Sequence, residues 1–254
     1  MKPLVTLGGL ALALALGGMP IAGRLHDRLR PTDLPASRDL LEGDLLKWAV
    51  AGGVVAYTLF VERLPLSSLS GRSLSPSAFV AAVCGGTALL VSASAVASPA
   101  FDRLGVGRTD EGLSPFSELS TGRRLFVVAT AGVTEELAFR GYAVERLVAV
   151  TGSPALAGGA SFAAFTAAHA SGRSRDEVLR VSVPALVTTL LYLRLRNLPA
   201  LICVHALNDA LGLLLLERAD ESAPGDPFGS LGNPFESLRE PFGANGSRRP
   251  ETSE

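Results

Sequence analysis

The length of the apolar runs limits what this chain can fold into. A helix needs about 20 mostly apolar residues to cross roughly 30 Å of hydrocarbon. Seven segments approach or reach that length: Leu4 to Ala22, Leu45 to Val61, Ser77 to Ala97, Arg124 to Val150, Pro154 to Ala170, Val178 to Leu193 and Leu198 to Leu216. Apolar residues make up 48% of the chain and mean hydropathy is +0.34, high for soluble domains. The expected fold is all-α: a polytopic membrane helix bundle of about seven transmembrane helices around a polar cavity. Gly, Ala and Ser are dense in the segments, and small residues let membrane helices approach closely.

The segments organise the chain. Residues 1–218 read as one transmembrane helical domain and 219–254 as a disordered polar tail rich in Pro, Gly, Ser and acid. In the tail, Pro227-Phe228, Pro234-Phe235 and Pro241-Phe242 recur at a spacing of seven. Chance spacing in a flexible tail is preferred to a docking peptide. The first segment also resembles a signal peptide, with Lys2 before it and Ala22-Gly23 after it. A retained helix is preferred, because a polytopic chain needs no separate cleavable signal. The second segment holds Trp48 and Tyr57 near its ends.

Arginines set an orientation. Arg24, Arg28, Arg30 and Arg38, then Arg103, Arg108, Arg123 and Arg124, then Arg173, Arg175 and Arg180, then Arg218, Arg239, Arg248 and Arg249 fall on one side of the bundle. Only Arg63, Arg72, Arg194 and Arg196 fall on the other. The positive-inside rule then puts the N-terminus outside and the C-terminus in the cytoplasm of a multi-pass cell-membrane protein. A net charge of −1 argues against a nucleic-acid partner. Cys84 and Cys203, both in apolar segments, make no disulfide framework and read as small buried hydrophobes.

Ionisable groups inside membrane segments are costly, so each is a functional-site hypothesis. The fourth segment carries Glu135, Glu136 and Arg140. Glu136 and Arg140, four apart, share a helix face and pair. Glu135 lies about 100° around the helix. It reads as an unpaired acid in a low-dielectric setting, suited to accept a proton near neutral pH. An ion-pair network of purely structural purpose explains Glu136 and Arg140 but not Glu135. Glu145 and Arg146 read as interfacial. The fifth segment carries Phe165 and His169, and the seventh His205, Asn208 and Asp209. A carboxylate one turn from a histidine suits a metal ligand or an oriented imidazole; Asn208, three from His205, competes for that place. His26, in a charged loop, is unremarkable. Lipid would not tolerate these groups, so their helices turn them toward a common cavity.

In order, Glu135-Glu136-x-x-x-Arg140, Phe165-x-x-x-His169 and His205-x-x-x-Asp209 resemble the three motifs of the CPBP family, the CAAX protease and bacteriocin-processing (Abi) family of intramembrane peptidases. Leu191 to Asp209 also resembles that family's last helix and its lead-in. The family-like core spans about 123–216. The resemblance implies a membrane bundle around a water-accessible cavity open to the cytosol, and a peptide or protein substrate, plain or lipidated. By it, Glu135 is the general base that activates water and His169 holds or polarises that water. His205 and Asp209 stabilise the oxyanion, and Glu136, Arg140 and Phe165 support the site. Asp209 departs from the Asn of the eukaryotic-type enzymes, and an ionised Asp cannot donate to an oxyanion.

The chemistry admits two accounts. His169, His205 and Asp209 would form a Zn²⁺ set with a position left for water. Without metal, Glu135 and His169 would deprotonate water while His205 carries the oxyanion. HExxH and GxSxG do not occur. An intramembrane endopeptidase is the leading reading. The alternative is a non-catalytic membrane immunity or scaffold protein that keeps the fold. A proton-coupled carrier ranks last, because no matched halves are evident.

Overall fold

The computed structural model describes residues 7–11, 36–107, 116, 119–170 and 174–221, with the side chains of 36–40 and 214–221 outside that description. Most of the first apolar segment and nearly all of the tail, including the Pro-Phe repeat, therefore lie outside the described residues. The chain divides into compact units Met1–Leu214 and Leu215–Glu254, and the side chains discussed below belong to the first.

Regular structure among the described residues is helical, with one isolated bridge between Gly71 and Asn197. Helix α1 (Ala36–Ala56) continues into a π-helical turn (Tyr57–Val61). A short α2 (Ser67–Ser70) leads to α3 (Pro76–Arg103). Next come α4 (Thr121–Glu136), a π-helical stretch (Leu137–Val144) and α5 (Glu145–Thr151), which follow one another directly. They are followed by α6 (Pro154–His169), α7 (Arg175–Leu195) and α8 (Leu198–Glu221).

Local chemistry explains the boundaries. Ser75 and Ser153 each accept a backbone N–H at the start of α3 and α6, with Pro76 and Pro154 in the first turn, where a missing N–H costs nothing. Ser174 and Glu177 form a reciprocal capping box on α7. Gly152 ends α5 in the left-handed region at φ 68°. Asn197 Oδ1 takes the N–H of Ala200 and so starts α8.

Three described helices are long and apolar enough to cross a membrane: Leu41–Val61, Pro76–Arg103 and Arg175–Leu195. Among the described residues, three of the seven segments expected from sequence meet that length and composition requirement. The apolar part of α8, Leu198–Leu213, is shorter. Helix α6 has 16 residues, and the α4 region carries Glu135, Glu136 and Arg140 within it. Polarity is distributed as lipid requires. Val80 and Val96 on α3 are 60% and 78% exposed, whereas Glu136 and Arg140 are fully buried. With hydrocarbon outside, charges turn inward toward partners and apolar side chains turn outward. The chain is a membrane protein.

Helix α6 packs on α7 and on the π stretch, α3 on α7, and α1 on α4. At Gly132, a Cβ would lie 3.2 Å from both the Ala206 Cβ and the Ile202 carbonyl oxygen of α8. Absence of a side chain there lets α4 approach α8 closely, as small residues do at membrane helix crossings.

Two expectations change. Arg146 is 3% exposed rather than interfacial, and its guanidinium pairs with Glu62 at 2.7 Å and donates to Ser68. Tyr142 donates to the same Glu62 at 2.9 Å. Glu145 is likewise drawn inward, accepting from Tyr192 at 2.6 Å and pairing with Arg196. Their distance along the chain from the first motif suggested a membrane edge; packing against the loop after α1 and the end of α7 supplied partners instead.

Candidate active site

Two adjacent carboxylates leave α4 in different directions. Glu136 points into the bundle, where Oε1 meets Arg140 Nη1 at 3.0 Å, the pairing the four-residue spacing called for. Arg140 Nη2 donates to Thr188 Oγ1 at 3.0 Å, Thr189 Oγ1 at 3.4 Å and the Ala185 carbonyl at 3.3 Å, all on α7. Its guanidinium lies 4.5 Å from the Phe165 ring centroid, a cation–π contact. The π-helical stretch places Arg140 here, and Ser161 of α6 donates to its Phe139 carbonyl at 2.7 Å. Phe165 in turn packs edge-on against Phe139 and lies 4.3 Å from the His169 ring.

Glu135 is not the unpaired acid expected from sequence. Lys47 of α1 reaches its Oε1 at 3.2 Å. The other oxygen, Oε2, lies 4.0 Å from His169 Nε2. His169 Nδ1 is 2.9 Å from the Phe165 carbonyl. A carbonyl only accepts, so Nδ1 carries a proton and Nε2 is the nitrogen that faces Glu135.

His205 sits between two acids. Nδ1 is 2.7 Å from Glu136 Oε1, and Nε2 is 3.3 Å from Asp209 Oδ2. The α4 carboxylate it meets is therefore Glu136, not Glu135. Asn208 Nδ2 donates to Asp209 Oδ1 at 3.3 Å. A cavity of about 350 Å³ is lined by Lys47, Glu135, His169, Thr188, His205, Asn208 and Asp209, together with apolar side chains that include Leu90, Val128 and Phe165.

These residues do not converge as a zinc set. Both nitrogens of His205 face carboxylate oxygens, and Nδ1 of His169 is taken by a carbonyl. Among the described residues, no group of three or more His, Cys, Asp or Glu is placed to hold a metal ion. His169, His205 and Asp209 line the same cavity without forming such a group.

Lys47 was missed in the sequence. Its signal was present, a lone ammonium near the start of an apolar run. Thr188 and Thr189 also escaped notice, because hydroxyls are common in membrane helices and nothing local marks them as partners of a guanidinium 48 and 49 residues away.

Fold and site define a class: a helical membrane protein whose acid and imidazole groups, from separate helices, share one buried cavity. Residues 118–211 match the family model described as Type II CAAX prenyl endopeptidase Rce1-like, so that stretch is similar to the family its three motifs resemble. All three motifs fall within the matched stretch; Lys47 does not. Comparison with curated proteins and with solved structures gave no match.

Proposed function

We propose that the chain is an intramembrane endopeptidase in which Glu135 and His169 activate a water molecule for attack on a peptide carbonyl. The observation that carries this reading is the 4.0 Å separation of Glu135 Oε2 and His169 Nε2 beside the cavity. That is too long for a hydrogen bond, and a bridging water suits such a gap. With the His169 ring neutral in this mechanism, both atoms accept, so one water donates to each and turns its lone pairs to the cavity. Glu135 takes the proton as the water oxygen bonds to the carbonyl carbon. The carbonyl electron pair moves to oxygen, and the tetrahedral species is stabilised by fixed donors. As the C–N bond breaks, Glu135 returns the proton to the leaving amine.

Asn208, whose amide has a second N–H beyond the one given to Asp209, is the donor nearest in kind to that task, since both nitrogens of His205 already face carboxylates. Asp209 accepts from His205 and Asn208, which orients the ring and the amide rather than contacting the oxyanion itself. Glu136, Arg140 and Phe165 hold α4, α6 and α7 in register behind the site. In the full reading, seven helices surround a water-accessible cavity open to the cytoplasm, with the C-terminus on that side.

The Lys47–Glu135 ion pair favours a second reading, a non-catalytic membrane partner in which Glu135 is structural. The test is cleavage of a quenched peptide library with plain and lipidated termini by detergent-purified protein, beside Glu135→Gln and with a chelator arm. Cleavage by the parent and none by a folded variant supports the peptidase. Equal cleavage by both removes Glu135 from the mechanism. Loss of activity with chelator would restore a metal to the account.

A further inference from the structure

The two oxygens of Glu135 have different neighbours. Oε2 faces His169, and Oε1 is held at 3.2 Å by Lys47. The lysine comes from α1, 88 residues away and outside the stretch that matches the family. Its side chain is 32% exposed and lines the cavity, while that of Glu135 is 13% exposed. A carboxylate with one tethered oxygen cannot swing freely about its terminal torsion, which is broad and roughly two-fold when unrestrained. Asp44 is buried one turn earlier on α1 and is within electrostatic reach of both Lys47 and Glu135. The ammonium thus stands as a cation between two acids that repel each other, with Arg123 a further cation within reach of Asp44.

We propose that Lys47 is a positioning residue: it holds Glu135 Oε1 so that Oε2 is presented to His169 and the water between them. The proposal rests on the peptidase reading and deepens it. A competing use of the same ammonium is capture of a substrate's free C-terminal carboxylate. That would gather a third acid around a cation already engaged, which like-charge repulsion disfavours.

The full-length protein in detergent provides the test. Lys47→Met keeps length and removes charge; Lys47→Arg keeps charge. Cleavage is followed on matched peptides ending in a free acid or an amide. Lys47→Met should lower kcat about 10- to 100-fold with KM within about threefold, equally for both peptide types, as expected of a misplaced base. Lys47→Arg should recover most of the loss. Unchanged kinetics, or a KM increase confined to free-acid peptides, would overturn the proposal; the latter would make Lys47 a substrate ligand. Loss of activity in Glu135→Gln within the same series shows that the peptidase reading holds, so failure of one idea is separable from failure of the other. Melting supplies a readout independent of turnover. Lys47→Met should lower Tm, and adding Glu135→Gln should restore much of it, because the carboxylate stranded by the loss of its ammonium is then removed. Additive losses would overturn the pairing even if no peptide is cleaved.

Discussion

Glu135 and Glu136 are neighbours in the chain, yet one faces the cavity and the other is sealed behind it. Glu136 is fully buried against Arg140 and His205, and the arginine is bound in turn by α7 hydroxyls and the Phe165 face. Glu135 keeps partial exposure, one ammonium partner and a gap toward His169. A buried ion pair with several hydrogen bonds fixes geometry and resists change. A partly exposed carboxylate with room beside it can bind water and move a proton. In the proposed mechanism, architecture falls to one acid and reactivity to its neighbour.

The largest expected effect separates the two at once. Glu135→Gln should reduce peptide cleavage about 10²- to 10⁴-fold, the usual reach of general-base catalysis, with melting in detergent little changed. Retained activity would break the contrast at its centre.

Arg140→Leu should do the reverse, acting first on stability. Removing one partner of a buried pair costs about 3–5 kcal/mol, because the remaining charge is stranded. Unfolding in detergent should show that loss, and the double variant with Glu136→Leu should be less destabilised than Arg140→Leu alone. If Arg140→Leu melts like the parent, the buried seam does not hold the helices.

A smaller effect is expected at the helix crossing that carries both regions. Gly132→Val adds atoms where the gap to Ala206 and Ile202 is already closed, costing about 1–3 kcal/mol as overpacking. It should also lower cleavage, since α4 carries Glu135 and α8 carries His205. Unchanged melting and activity would show that this close approach is not needed. The smallest change is Trp48→Phe, which removes the 2.9 Å bond from Nε1 to Thr130 Oγ1. A loss of about 1 kcal/mol in melting, with cleavage nearly unchanged, would mark the α1–α4 seam as support.

The helical character of the chain and its relation to a membrane were legible in composition and run length. So were the pairings one turn apart, Glu136 with Arg140 and His205 with Asp209, both now seen at contact distance. The spans were less legible than the helices, because α6 has only 16 residues and the α4 region carries Glu135, Glu136 and Arg140, so run length alone does not say which helices cross.

The sequence by itself determined what is periodic or local: the helices, their serine caps, the i,i+4 ion pairs and the three polar clusters that match the family. These follow from 3.6 residues per turn and from the cost of charge in lipid, both written along a single segment. Tertiary structure alone decided which groups meet across segments. It gave Lys47 to Glu135, Glu136 rather than Glu135 to His205, and Glu62 to Arg146, pairs separated by 88, 69 and 84 residues. The physical reason is that helix periodicity says which face a side chain occupies, while the partner on the facing helix is set by how closely and at what height two helices pack.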